Sequence, residues 1–189
     1  MQVSYPLERL FEDQDPAIVI DTIPAVLAWA PEKPRRRELG FSMTLAAKAK
    51  APREEGTLTV TWSLPPLLAR DPGVTGRAAR MRDGTSPHRE HLAEVAGYGL
   101  SLCAISALLP GRRIVAWSRY AAPDLLFDVT PGALRGVEVA ARSTGGASKL
   151  REIEAEKSGP LRDDPDVAEA WLSLWCHHPK LGWLLKVKS

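Results

Sequence analysis

Two cysteines in 189 residues, Cys103 and Cys176, are too few for a disulfide framework. Reduced, buried thiols in a cytoplasmic protein are the simplest expectation. No apolar run approaches the ~20 residues that a membrane span requires, so no membrane partner is expected. Residues 1–6 lack a basic region followed by an apolar core, so no secretory signal is read there. A dominant charge is missing too: the net charge is +2, and no global field would draw the chain to nucleic acid. Neither a Ser-His-Asp arrangement nor a P-loop nor a dinucleotide fingerprint is visible. Internal repeats and low-complexity segments are absent as well.

What is present is an ordinary globular composition, 44% hydrophobic and 25% charged, long enough for one domain with a substantial core. Charge is unevenly placed. Between Glu32 and Arg53 seven basic residues face two acidic ones, whereas from Ala147 to Glu169 acids outnumber bases seven to four. The basic stretch, with Arg35, Arg36, Arg37, Lys48 and Lys50, reads either as a solvated face or as a surface for phosphates.

Ala17 to Ala30 is apolar but interrupted by Pro24, which fits a short helix or an extended segment. Period-two alternation around Phe41, Met43 and Leu45, then around Leu58, Val60 and Trp62, predicts a β-hairpin over residues 41–63. The prolines, glycines and arginines of residues 64–87 predict a loop, whose Arg77, Arg80 and Arg82 would join the basic stretch in holding a nucleic-acid backbone. From His88 the period becomes helical, with Thr85-Ser86-Pro87 as the start signal and Pro110-Gly111 as the stop. Short strands are expected over 113–117, 124–129 and 136–141. A charged helix over 147–157 follows, broken by Gly159-Pro160. A further helix is expected from Asp164-Pro165 to about Cys176, and a strand over 182–187. The chain thus reads as α/β, a mixed central β-sheet flanked by helices. Residues 1–87 form an N-terminal extension carrying the hairpin and an Arg-rich loop; residues 88–189 form the core.

The most informative segment is Pro123-Asp124-Leu125-Leu126-Phe127-Asp128, followed by Gly136-Val137-Glu138-Val139-Ala140-Ala141-Arg142. Read as two antiparallel strands, it brings carboxylates to one face. If the turn centres on Thr130-Pro131-Gly132, Asp124 lies opposite Glu138; a longer loop puts Asp128 there instead. Opposed carboxylates repel unless a cation or a proton sits between them. Mg²⁺ takes a few carboxylates together with waters and phosphate oxygens, and the Val139 carbonyl offers one more ligand.

Pro123-Asp124 and Glu138-Val139-Ala140 resemble the motif of the PD-(D/E)xK nuclease superfamily. The order helix, three strands, helix, later strand from His88 onward is similar to its restriction-endonuclease-like core. The resemblance covers roughly the C-terminal hundred residues and implies a metal-dependent phosphodiesterase acting on nucleic acid. It makes Asp124 and Glu138 ligands of Mg²⁺, with Asp128 as the alternative. The family's water-activating lysine falls at Ala140, a departure. Arg142 and Lys149 are the nearest replacements. Arg142 is too weak an acid to act as a base, and Lys149 has to reach back from the following helix. The missing lysine keeps a second class open: an inactive nuclease-like adaptor or subunit that binds a protein partner or a second copy of the chain.

Other features carry two readings each. Glu90 and Glu94, one helical turn apart, join a metal site or stay solvated. His88 with His91, and Cys176 with His177 and His178, lack a second cluster at zinc spacing. Ser143-Thr144-Gly145-Gly146 forms an anion nest or a helix cap. Trp171, Trp175 and Trp183 sit at core spacing, with base stacking as the alternative.

Overall fold

The computed structural model describes residues 1–31, 37–48, 51–84, 91–118 and 122–189. The chain starts with β1 (Gln2–Pro6), a 3₁₀ turn and α1 (Leu10–Asp13), then α2 (Pro16–Trp29), β2 (Glu38–Ala46) and β3 (Glu54–Thr61). Two helices, α3 (Leu64–Arg70) and α4 (Val74–Asp83), lead to the long α5 (Leu92–Leu108). Next come β4 (Ala116–Trp117), β5 (Leu125–Asp128) and β6 (Leu134–Thr144), then α6 (Gly146–Asp163), β7 (Val167–His178) and β8 (Leu181–Lys188).

All eight strands join one mixed sheet in the order β1-β3-β2-β8-β7-β6-β5-β4. β4, β5 and β6 run as an antiparallel meander. The α6 crossover makes β7 parallel to β6, and β8 turns back antiparallel to β7. The predicted hairpin is β2 with β3, Phe41 opposite Leu58, and it extends the sheet through a parallel pairing of β2 with β8. Strand alternation sends Val137, Val139 and Ala141 of β6 and Trp171 and Trp175 of β7 into a core shared with α2 and α5. Ala140 of β6 and Leu172, Leu174 and Cys176 of β7 enter a second core under α6. The larger core draws on both sides of residue 88, from Tyr5, Phe41 and Val60 to Leu100 and Trp175.

Three expectations are corrected. The segment from 165 to 176 is strand, not helix. Val167, Trp171, Leu174 and Trp175 do fall at helical spacing, but a strand covered on both faces is a near-continuous apolar run that periodicity alone misreads. The stretch expected as a loop contains α3 and α4. Pro65 and Pro66 lie in the first turn of α3, where a missing N–H costs nothing. Gly84 ends α4 in a left-handed conformation (φ 71°), which glycine adopts freely. Leu67, Val74, Ala78 and Met81 then face the core. Gly159-Pro160 does not break α6, which runs on to Asp163 and buries Leu161.

Residues 16–29, open to two readings, are helix: Asp15 caps Ala17 N at 2.9 Å and Pro16 occupies the first turn. The start signal Thr85-Ser86-Pro87, with His88 and Glu90, lies outside the described residues. A buried polar knot ties α5 to β7: Ser101 Oγ meets Ser173 Oγ at 2.7 Å, and Trp175 Nε1 donates to both.

The glycines of α5 are packing devices. A Cβ on Gly97 would stand 2.6 Å from the Ala141 Cβ of β6, and one on Gly99 would stand 2.5 Å from Val26 of α2. The helix is clamped between the sheet and its outer neighbour, leaving no volume for a methyl group. Gly97→Ala should lower stability by about 1–3 kcal/mol, the cost of overpacking, despite alanine's better helix propensity; urea unfolding of the variant measures it.

Candidate metal centre at the β5–β6 hairpin

β5 and β6 pair with Leu125 opposite Val137 and Leu126 opposite Gly136. Continued by one residue, this register sets Asp124 opposite Glu138, the arrangement expected for a turn centred on Thr130-Pro131-Gly132. The longer-loop alternative is overturned. A bulge after Leu126 places Asp128 opposite Arg135, where its carboxylate accepts from Thr130 N at 2.9 Å and from the Thr130 hydroxyl at 2.7 Å. Those bonds hold the Asp128 carboxyl below its ordinary pKa, and the residue serves the turn.

Asp124 Oδ2 accepts from the backbone N–H of Val139 at 2.8 Å. Burial, then the neighbouring Glu138 charge, push its pKa from 3.8 up to about 6. Glu138 is buried and shares the α6 face of β6 with Ala140. Its Oε1 meets Lys157 Nζ of α6 at 2.5 Å. Its Oε2 is buried without a hydrogen-bond partner.

Lys157 is the residue that sequence reasoning missed. α6 buries Leu150, Ile153 and Leu161, and Lys157 stands in line with them, at the position one heptad beyond Leu150. A lysine inside an apolar stripe was the available signal, obscured by the expected helix break at Gly159-Pro160. The lysine expected to substitute, Lys149, instead pairs with Glu152 across one turn at 2.5 Å, and Arg142 donates to the Ala141 carbonyl.

The other candidates disperse. Glu94 is exposed; it pairs with His91 at 3.5 Å and accepts from the Tyr98 hydroxyl at 3.4 Å. Among the described residues no group of three or more His, Cys, Asp or Glu side chains is placed to hold a metal. The His177 ring stacks on Trp29 at 4.7 Å, and Cys176 Sγ donates to the His178 carbonyl. Gly145 and Gly146, with φ of 115° and 62°, turn the chain into α6. Trp171, Trp175 and Trp183 are buried, as core spacing predicted.

The basic residues do not form one surface. Arg35, Arg36 and Lys50 lie outside the described residues. Arg37 and Lys48 are exposed at opposite ends of β2, about 35 Å apart at strand rise. Arg77 pairs with Asp71, and Arg82 donates to the Leu27 carbonyl at 2.8 Å, so both tie α4 into the helical layer. Arg80 sits between them on α4.

Beside Asp124 opens a cleft of about 700 Å³. Asp124 is part of its wall, with Tyr98 of α5 and Trp117 of β4.

No protein-family model matches this chain, and no curated protein or solved structure matches it significantly.

Two outcomes follow from this geometry. Lys157→Met leaves the buried Glu138 carboxylate without its countercharge and should cost about 2–3 kcal/mol in urea unfolding; adding Glu138→Gln should recover most of that loss. Asp124, its carboxyl raised in the fold, favours the folded state below about pH 4 and disfavours it progressively as pH rises through about 6. The shift bounds the penalty at about 3 kcal/mol, reduced by solvent screening to about 1–2 kcal/mol. Asp124→Asn should therefore raise the melting temperature at pH 7 and leave it nearly unchanged at pH 4.

Proposed function

We propose that the protein is a metal-dependent phosphodiesterase of nucleic acid with a restriction-endonuclease-like core, in which Lys157 takes the part of the lysine absent at Ala140. The observation that carries this reading is the contact of Lys157 Nζ with Glu138 Oε1 at 2.5 Å, beside an Asp124 that burial, then the Glu138 charge, makes harder to ionise. The order of α5, the β4–β5–β6 meander, α6 and β7 parallel to β6 supports the fold assignment.

A divalent cation suits the residues present. The orphaned Oε2 of Glu138 and the raised Asp124 are the signature of two carboxylates in want of positive charge. Asp124 and Glu138 would hold Mg²⁺, which binds through one or two carboxylates plus water and substrate phosphate. Bound there, the cation supplies Lewis acidity toward a phosphoryl oxygen. Glu138 fixes the Lys157 ammonium at the site, where it orients a water and meets negative charge developing on the phosphate. Asp124 must give up its proton to bind the cation, so affinity should fall as pH drops below about 6. The backbone bond from Val139 keeps the Asp124 carboxylate aimed along β6.

A second reading is favoured by the same ion pair. Lys157 neutralises Glu138 without any cation, as a nuclease fold retained for assembly rather than chemistry would require.

Cleavage assays separate the two. Purified protein with Mg²⁺ or Mn²⁺ should cut single- or double-stranded DNA or RNA. Asp124→Ala and Glu138→Ala should abolish cutting, and Lys157→Ala should slow it by about 10²–10⁴. Moving the lysine back with Ala140→Lys in the Lys157→Ala background should restore part of the rate. In a parallel thermal-shift measurement Mn²⁺ should stabilise the wild type and not the Asp124→Ala/Glu138→Ala variant. Cleavage that never appears, or that persists in that variant, removes the enzyme.

A further inference from the structure

We propose that the cleft beside Asp124 receives an unpaired, amino-bearing nucleobase, so that the substrate is single-stranded or locally unpaired nucleic acid. The inference rests on the phosphodiesterase reading only in assigning this substrate to the neighbouring centre.

Size is the first argument. About 700 Å³ lies within the ~300–1,000 Å³ typical of small-molecule sites. A nucleotide fits such a volume, and a duplex enters it only by extruding a base.

The wall chemistry is the second. Tyr98 and Trp117 stack with ring centroids 5.2 Å apart and planes inclined by 29°, and Trp117 remains 37% exposed. An exposed tryptophan braced by a second ring is a platform for an aromatic face. Its strand lies at the sheet edge, next to β5 and Asp124.

Charge is the third. The cleft wall includes the carboxylates Asp21, Glu94 and Asp124. Its arginine, Arg77, is committed to Asp71, and the His91 ring meets Glu94 at 3.5 Å. Such a wall repels phosphate and accepts hydrogen bonds from exocyclic amino groups, which cytosine, adenine and guanine carry and thymine lacks. The ring is thereby placed in the acidic, aromatic cleft, whose wall meets the carboxylate pair at Asp124.

Fluorescence anisotropy tests this with labelled oligonucleotides of about 12 nucleotides, in Ca²⁺ so that binding is read apart from cleavage. Oligo-dC should bind about tenfold more tightly than the oligo-dC·oligo-dG duplex, and more tightly than oligo-dT. Trp117→Ala should weaken oligo-dC binding by about tenfold or more, and Trp117→Phe by much less. Circular dichroism of both variants checks the fold. Equal affinity for duplex and single strand, indifference to Trp117→Ala in a folded variant, or no binding to any oligonucleotide overturns the proposal. Metal-dependent cleavage of duplex that ignores Trp117→Ala removes the base site and leaves the phosphodiesterase standing. Trp117-dependent binding of single strands without cleavage does the reverse.

Discussion

A carboxylate buried in a central strand has to be neutralised, and much of this molecule is arranged around that need. Glu138 sits on β6 between the two helix-covered faces of the sheet, where an isolated negative charge is costly. Lys157 answers it from α6, and Asp124, just before β5, answers it by holding its proton more tightly. In the proposed function, stability and chemistry therefore compete for the same group. The ion pair that lets Glu138 be buried is also the pair that would place an ammonium beside a phosphate. Such competition is common at sites where burial and like charge shift a carboxyl toward neutral pH.

The surrounding fold makes that position rigid. α5 lies against β6 so closely that Gly97 has no room for a side chain, and the Ser101–Ser173–Trp175 knot pins it to β7. On the opposite face the apolar stripe of α6 sets the height of Lys157 over the strand. The N-terminal half completes the sheet through β2 and supplies the outer helices, α2 and α4. That layer also walls the cleft with Asp21 and Arg77. The carboxylate pair on one hairpin thus depends on residues from nearly the whole chain.

Part of the site was legible beforehand because hairpin geometry is local. A tight turn at Thr130-Pro131-Gly132 determines the register, and register determines that Asp124 opposes Glu138. Asp128 illustrates the limit: a bulge, which no alternation pattern announces, turned it into a turn-stabilising residue. The countercharge was hidden for a different reason. Lys157 lies 19 residues from Glu138, on a helix that continues through Gly159-Pro160 instead of stopping there. The aromatic cleft was equally hidden, since Tyr98 and Trp117 meet only when α5 packs beside the sheet edge.

By itself the sequence determined the local decisions: where β2 and β3 alternate, that Pro110-Gly111 stops α5, and that Asp124 or Asp128 shares a hairpin with Glu138. These depend on neighbours a few residues apart, whose spacing is written in the chain. Only tertiary structure decided that the segment from Val167 to His178 is a strand, because an apolar run suits helix or strand until two covering layers claim alternate side chains. The same layering decided which lysine reaches the buried glutamate, since contact between distant elements follows from how faces pack and not from distance along the chain.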